Sequence, residues 1–213
     1  MKTIVLTHRA AKQLDALASE DRFAVTEGLA LYATEGRGDV KKLSGREGYR
    51  LRVRDYRVIF DDDRVTILAI HIGRRTTTPY SKESEMKTQT ITSPSGDELV
   101  VLARSDYDAL VAAAEARDED ADDVAVYDLR KAELAAGLDA RLPPEVSARL
   151  IKGESLLKAL RNWRDVTQMH LASKTRVGQG YLSDLESGRR KGTPETLKMI
   201  AAALDVPAQW LVD

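Results

Sequence analysis

Cysteine is absent from this 213-residue chain, and histidine occurs only three times, at positions 8, 71 and 170. Without cysteine the chain can form no disulfide, carries no thiolate nucleophile and offers no sulfur ligand to zinc. The three histidines lie too far apart in the sequence to form a metal-binding motif. We therefore expect neither a bound metal nor a cofactor.

Aromatic residues and long hydrophobic runs are also scarce. Aromatic side chains make up 5% of the chain and charged side chains 31%. No apolar run approaches the roughly 18 residues that a membrane span requires. The N-terminus passes from Lys2 directly into a short β-like stretch, without the apolar segment of a signal peptide. These absences predict a cytoplasmic protein that does not enter a membrane.

Positive and negative charges are unevenly distributed along the chain. Residues 1–85 contain 16 Lys and Arg against 13 Asp and Glu, residues 86–150 contain 7 against 14, and residues 151–213 contain 10 against 7. The three segments therefore carry net charges of +3, −7 and +3. Solvated helices of different charge explain such a pattern in many proteins. The alternative is that the acidic middle covers one of the basic ends.

The first 80 residues have the periodicity of a strand, two helices and a sheet. Apolar residues recur at helical spacing between Ala11 and Tyr32, and they alternate with arginines between Tyr49 and Phe60. The pattern predicts an α+β unit of order β-α-α-β-β-β, with an antiparallel sheet covered on its inner face by the helical pair. The arginines fall on the outer face, for which a solvated strand surface is the simplest interpretation.

Two stretches of this unit, GYRLRVRDYRVIF (48–60) and HIGRRTTTPY (71–80), resemble toxins of the RelE/ParE superfamily. The resemblance implies either cleavage of messenger RNA on the ribosome or, in the ParE branch, poisoning of DNA gyrase. For a latent RelE-like endoribonuclease, the matching catalytic residues are Arg50, Arg52, Arg57, Arg75 and Tyr80. Fixed guanidinium groups would stabilise the negative charge that builds when a ribose 2′-hydroxyl attacks phosphorus. Nearby cations would favour the ionised form of a tyrosine base.

The first three residues of the chain, Met-Lys-Thr, recur at 86–88 after a polar junction at 81–87. This repeat is typical of a second translation start that is retained when two reading frames become one chain. Residues 88–117 then predict a β-hairpin followed by a helix.

The run DEDADD at 118–123 is too acidic to predict burial, and alone it predicts a solvated loop. It opens an acidic arm, residues 118–150, whose interrupted apolar face contains Val124, Tyr127 and Leu134. A segment of this composition is expected to order on a partner surface.

Five short helical patterns follow from residue 154 to residue 213, and together they predict an all-α domain. The stretch TQMHLASKTRVGQGYLSDLESGRRKGTPETLKMIAAALDV (167–206) resembles the Xre/Cro-type helix-turn-helix family. The resemblance implies a homodimer on operator DNA. Residues at the start and on the face of the recognition helix would meet base edges: Gln179, Gly180, Tyr181, Ser183 and Asp184. Flanking residues would contact phosphates: Gln168, Arg189, Arg190 and Lys191.

The order of these units resembles the HigB and HigA toxin–antitoxin arrangement joined in one chain. It predicts that the arm neutralises the toxin by contact within one chain or between chains, and that the C-terminal domain represses its own promoter. A freed toxin would act on mRNA and the ribosome. Two alternatives remain open: a gyrase inhibitor with the same antitoxin, and a transcriptional regulator whose N-terminal domain is not catalytic.

Overall fold

The computed structural model describes residues 2–74, 88–92 and 98–212. A mixed α/β N-terminal part is followed by a helical region. The N-terminal elements are β1 (Thr3–Leu6), α1 (His8–Asp15), α2 (Ser19–Glu35), β2 (Asp39–Lys42), β3 (Tyr49–Val53), β4 (Tyr56–Asp62) and β5 (Thr66–Arg74). After them come the hairpin strands β6 (Thr88–Thr92) and β7 (Glu98–Leu102). The helices are α3 (Arg104–Ala135), α4 (Pro144–Ile151), α5 (Leu156–Trp163), α6 (Gln168–Thr175), α7 (Gln179–Glu186) and α8 (Pro194–Ala203).

The N-terminal sheet has five strands in the order β1-β5-β4-β3-β2. Its prediction as a four-strand antiparallel sheet was wrong in two respects. An additional strand, β2, pairs with β3, and β1 pairs with β5 in parallel. Strand β2 has only four residues, three of them charged, so its alternation was too short to recognise. The parallel pairing is possible because a long connection, which includes α1 and α2, separates β1 from β5.

The inner face of the sheet packs on α1 and α2, and the core continues into the C-terminal helices. Leu6 and Phe60 of the sheet belong to the same buried cluster as Leu150 of α4, Leu160 of α5 and Leu182 of α7. Helix α4 overlaps the end of the predicted acidic arm and was not foreseen as a helix. It contacts β1, α2 and α5, so it joins the sheet to the helices that follow.

Helix α3 is continuous over 32 residues and lies across β4 and β5 on the outer face of the sheet. The expectation that the run at 118–123 is too acidic to be buried was wrong for Asp123. Asp123 is fully buried, whereas its neighbour Asp122 is exposed. A buried carboxylate is tolerated where cations pair with it, and the sheet supplies two arginines to Asp123.

Three of the C-terminal helices, α5, α6 and α8, begin at side-chain caps. The hydroxyl oxygens of Ser155, Thr167 and Thr193 accept hydrogen bonds from backbone N–H groups three residues further on. The fifth predicted helix is a short 3₁₀ turn, Ala208–Trp210. In the described parts of the chain, every helix is too short or too polar to cross a membrane.

Candidate DNA-binding surface and the covered arginine face

Helices α6 and α7 are joined by a tight turn. Arg176 ends α6 in the left-handed conformation, with φ of 56°, and its backbone N–H donates to the carbonyl of Ala172. Three buried leucines hold the two helices together, Leu171 on α6 and Leu182 and Leu185 on α7. This packing fixes the angle at which α7 leaves the turn.

A buried ion pair ties α7 to α5. Two guanidinium nitrogens of Arg161 contact the carboxylate of Glu186, with Nη2 at 3.1 Å from Oε2, and Arg161 Nη1 also donates to the carbonyl of Val166 at 2.7 Å. Gln168 Nε2 donates to the same Glu186 oxygen at 2.8 Å. Gln168 was predicted to contact phosphate, and its amide is directed towards this pair. Arg161 and Glu186 were missed because no local pattern relates residues 25 positions apart.

The predicted base-contacting residues differ in exposure. Gln179 and Gly180 are exposed at the start of α7, whereas Tyr181, Ser183 and Asp184 are half-buried. The predicted phosphate contacts Arg189, Arg190 and Lys191 are all exposed just beyond the helix. Of this set, the structure brings Asp184, Arg189 and Arg190 into direct contact. The DNA-contacting roles of all these residues remain predictions.

The arginine face of the N-terminal sheet is covered by α3. Arg50 is 2% exposed, and its Nη1 donates to Asp120 Oδ1 and Asp123 Oδ2, both at 2.8 Å. Arg57 Nη1 lies 2.7 Å from Asp123 Oδ1. Arg52 is half-buried and lies opposite Arg57 on the neighbouring strand. Three of the five predicted catalytic residues therefore share one face of the sheet.

The other two predicted catalytic residues, Arg75 and Tyr80, lie outside the described residues. The same holds for the junction at 81–87, which contains Met86 of the repeated Met-Lys-Thr. Assignment of the catalytic set remains a prediction.

Further ion pairs surround the buried arginines. Asp120 also pairs with Lys41, Asp128 accepts two hydrogen bonds from Arg46 at 2.6 and 2.7 Å, and Lys131 pairs with Asp61 of β4. Burial by itself would raise the pKa of Asp120. The hydrogen bond from Lys41 and the charge of Arg50 outweigh it and hold that pKa below its ordinary value. The carboxylate of Asp120 therefore stays ionised against the sheet.

Apolar contacts accompany these charges. Tyr127 is 6% exposed, packs in a cluster with Ile59 and Ile70, and is joined there by the partly buried Val124 and Leu134. Its hydroxyl donates to Asp61 Oδ1 at 2.8 Å. Burial and this bond to a carboxylate raise the pKa of Tyr127. The structure thus places all three predicted covering residues against the sheet, and their role against a toxin remains a prediction.

Sequence reasoning missed the carboxylates that bind the arginines. Asp120, Asp123, Tyr127 and Lys131 recur at spacings of three and four, which place them on one side of a helix. That spacing was the available signal. This helical spacing was overlooked because the acidic run as a whole has the composition of a loop.

Comparison with known proteins shows that one part of the chain matches a known family. Residues 157–211 match the helix-turn-helix family. The chain is also 36% identical over 56 residues to an immunity repressor protein of Bacillus phage phi105. That alignment covers 26% of this chain and 39% of the phage protein. No solved structure matches the chain.

These matches place a helix-turn-helix domain in the C-terminal helices. They agree with the Xre-type resemblance of residues 167–206. The toxin resemblance of residues 1–80 rests on sequence pattern alone.

Proposed function

We propose that this chain is a DNA-binding transcriptional regulator that represses a promoter by occupying an operator. The observation that carries the proposal is the helix-turn-helix match over residues 157–211. In such domains the second helix presents its first residues to base edges in the major groove, and basic residues beside it contact phosphates. Gln179 is exposed at the start of α7, and Arg189 and Lys191 are exposed beyond its end. The similarity to a phage immunity repressor supports the same function.

The expected operator is an inverted repeat in the chain's own promoter, bound by two chains. The recognition helices of the two chains are then related by a two-fold axis and lie about one turn of the DNA duplex, roughly 34 Å, apart. Titrating the full-length protein into labelled promoter DNA and into a scrambled duplex at moderate salt tests the proposal. Equal affinity for the two duplexes would reject sequence-specific regulation.

Two substitutions separate base recognition from phosphate contact. Gln179→Ala should reduce the preference for operator over scrambled DNA by about 5- to 100-fold, because a lost base contact is worth about 1–3 kcal/mol. Lys191→Ala should weaken binding to both duplexes and reduce the slope of log K against log salt by about 1. The matched control is Arg37→Ala, which removes an exposed positive charge from the N-terminal part.

A second function, a latent RelE-like endoribonuclease, is favoured by the covered arginine face. Asp120 and Asp123 hold Arg50 and Arg57 through charge-assisted contacts. The same guanidinium groups would bind phosphate oxygens of RNA equally well. In this proposal, helix α3 covers the surface that an anionic substrate would contact. A contact made within one chain supports neutralisation in cis, and exchange of α3 between two chains would produce the same contact in a dimer.

Removing the two carboxylates from the full-length chain tests this second function. Expression of the Asp120→Asn/Asp123→Asn variant in a bacterium should arrest growth, and adding Tyr80→Phe should restore growth. New RNA ends with loss of translation would identify a ribonuclease, whereas loss of DNA supercoiling would identify a gyrase inhibitor. A folded double variant that leaves growth unchanged would indicate a regulator with a non-catalytic N-terminal domain.

A further inference from the structure

The chain beyond α7 is folded back onto the recognition helix. Helix α7 ends at Glu186, and Gly188 adopts the left-handed conformation with φ of 73°. A glycine in this position reverses the chain without steric cost. The backbone N–H of Arg190 then donates to the carbonyl of Asp184 at 3.2 Å. The reversal therefore brings the next residues alongside the helix.

The carboxylate of Asp184 contacts both arginines that follow this turn. Arg189 Nε donates to Asp184 Oδ1 at 2.8 Å, and Arg190 Nε lies 3.6 Å from Asp184 Oδ2. The guanidinium carbon of Arg190 also lies 5.7 Å from the ring centre of Tyr181. Both arginines contact Asp184 through Nε, yet the side chain of Arg189 remains 66% exposed and that of Arg190 63% exposed.

We propose that Asp184 is a positioning residue that prepares Arg189 and Arg190 for DNA phosphates. An unrestrained arginine loses side-chain entropy when it binds, and a side chain already held in place loses less. Contact through Nε orients the planar guanidinium group and leaves its outer edge for phosphate. Asp184 would therefore act on affinity through its two neighbours. This differs from the sequence-based expectation that it contacts a base, and it rests on the proposed DNA-binding function.

Comparing two substitutions isolates this positioning effect. Asp184→Asn and Asp184→Ala both remove the negative charge, so both relieve its repulsion of DNA equally. Only the asparagine retains an oxygen that accepts a hydrogen bond from arginine Nε. We expect the full-length Ala variant to bind operator about 2- to 10-fold more weakly than the Asn variant, because the single acceptor oxygen of asparagine still orders one of the two arginines before binding. Thermal melts of both variants show whether the fold is retained.

The same comparison is made on scrambled DNA, on operators with single base changes, and in an Arg189→Ala/Arg190→Ala background. The proposal expects a similar difference between the Asn and Ala variants on every duplex, and no difference once both arginines are gone. A difference confined to one base pair would identify a base contact and overturn it. Equal binding by the two variants, or a difference that persists without the arginines, would also overturn it. Failure of the unsubstituted protein to prefer any operator would instead reject the proposed function, and the inference with it.

Discussion

At the scale of single residues, Arg176 occupies a conformation that favours glycine. Its φ of 56° lies in the left-handed region, at the turn between α6 and α7. This conformation costs a residue with a side chain roughly 1–2 kcal/mol. The chain tolerates it because the α6–α7 packing requires a turn at this position.

Arg176→Gly should therefore raise the free energy of unfolding by about 0.5–1 kcal/mol, after allowing for the greater freedom of glycine in the unfolded chain. Denaturant titration of the full-length protein measures the change. Ser173→Gly is the matched control, because Ser173 is exposed within α6 and its replacement should lower stability. If Arg176→Gly lowered stability as Ser173→Gly does, the strain assigned to Arg176 would be refuted.

A second residue links stability to pH. Burial lowers the pKa of His71 to about 4, and the charges of Arg130, Arg57 and Arg9 act in the same direction. His71 Nδ1 lies 3.0 Å from Gln13 Nε2, so the uncharged ring fits its surroundings. The ordinary pKa of histidine is near 6.5, so the unfolded chain binds a proton on this residue at a pH where the folded chain does not.

Stability should therefore fall as the pH drops from about 6.5 towards 4. Between pH 7 and pH 5 the contribution of His71 amounts to about 2 kcal/mol. His71→Gln should flatten this part of the profile in denaturant titrations, whereas His170→Gln, at an exposed position, should leave it unchanged. If the free energy of unfolding of the His71→Gln variant fell as steeply with pH, groups other than His71 would cause the loss of stability.

At the scale of elements, the position of α3 depends on a close approach at Gly48. A Cβ atom at Gly48 would lie 2.2 Å from the ring of Tyr127. Such a distance is far below van der Waals contact, so either the ring or the helix must move. Tyr127 also carries the hydrogen bond to Asp61. Gly48 thus sets how closely α3 lies on the sheet.

Gly48→Ala should destabilise the protein by about 1–3 kcal/mol, the usual cost of overpacking a core. In a Tyr127→Ala background the same change should cost much less, because the clashing ring is absent. Gly178→Ala is the control, since nothing lies within 4 Å of a Cβ at that position. Equal costs of Gly48→Ala with and without Tyr127 would contradict the packing described for α3.

At the scale of the whole molecule, the buried core runs from the sheet through α4 into the helix-turn-helix domain. Leu14 of α1 and Trp210 near the C-terminus belong to the same buried cluster. Lys12 of α1 also donates to the carbonyl of Val212. Contacts of this kind couple the stabilities of the parts they join.

The chain should consequently unfold in one cooperative transition. Both tryptophans, Trp163 and Trp210, lie in the C-terminal helices, so their fluorescence reports on that region. Leu14→Ala, in the N-terminal part, should lower the stability seen by fluorescence by about 2–5 kcal/mol. The exposed substitution Val65→Ala should have little effect. A fluorescence transition unaffected by Leu14→Ala would show that the C-terminal helices unfold independently.

The sequence by itself determined the elements whose signals are local. The alternation from Tyr49 to Phe60 predicted two strands, and both form. Thr167 predicted the start of α6, and its hydroxyl caps that helix. Strand alternation and helix caps depend on residues only a few positions apart, so they can be recognised without knowing the fold.

Only the tertiary structure decided which distant groups meet. The composition of residues 118–123 predicted a run too acidic to be buried, whereas Asp123 is buried against Arg50, 73 positions away. The parallel pairing of β1 with β5 and the contact of Arg161 with Glu186 also join segments with no common local pattern. A carboxylate loses hydration on burial, and whether cations replace that hydration depends on where the rest of the chain lies. The sequence therefore predicted that acidic and basic segments exist, and the fold decided which of their members pair.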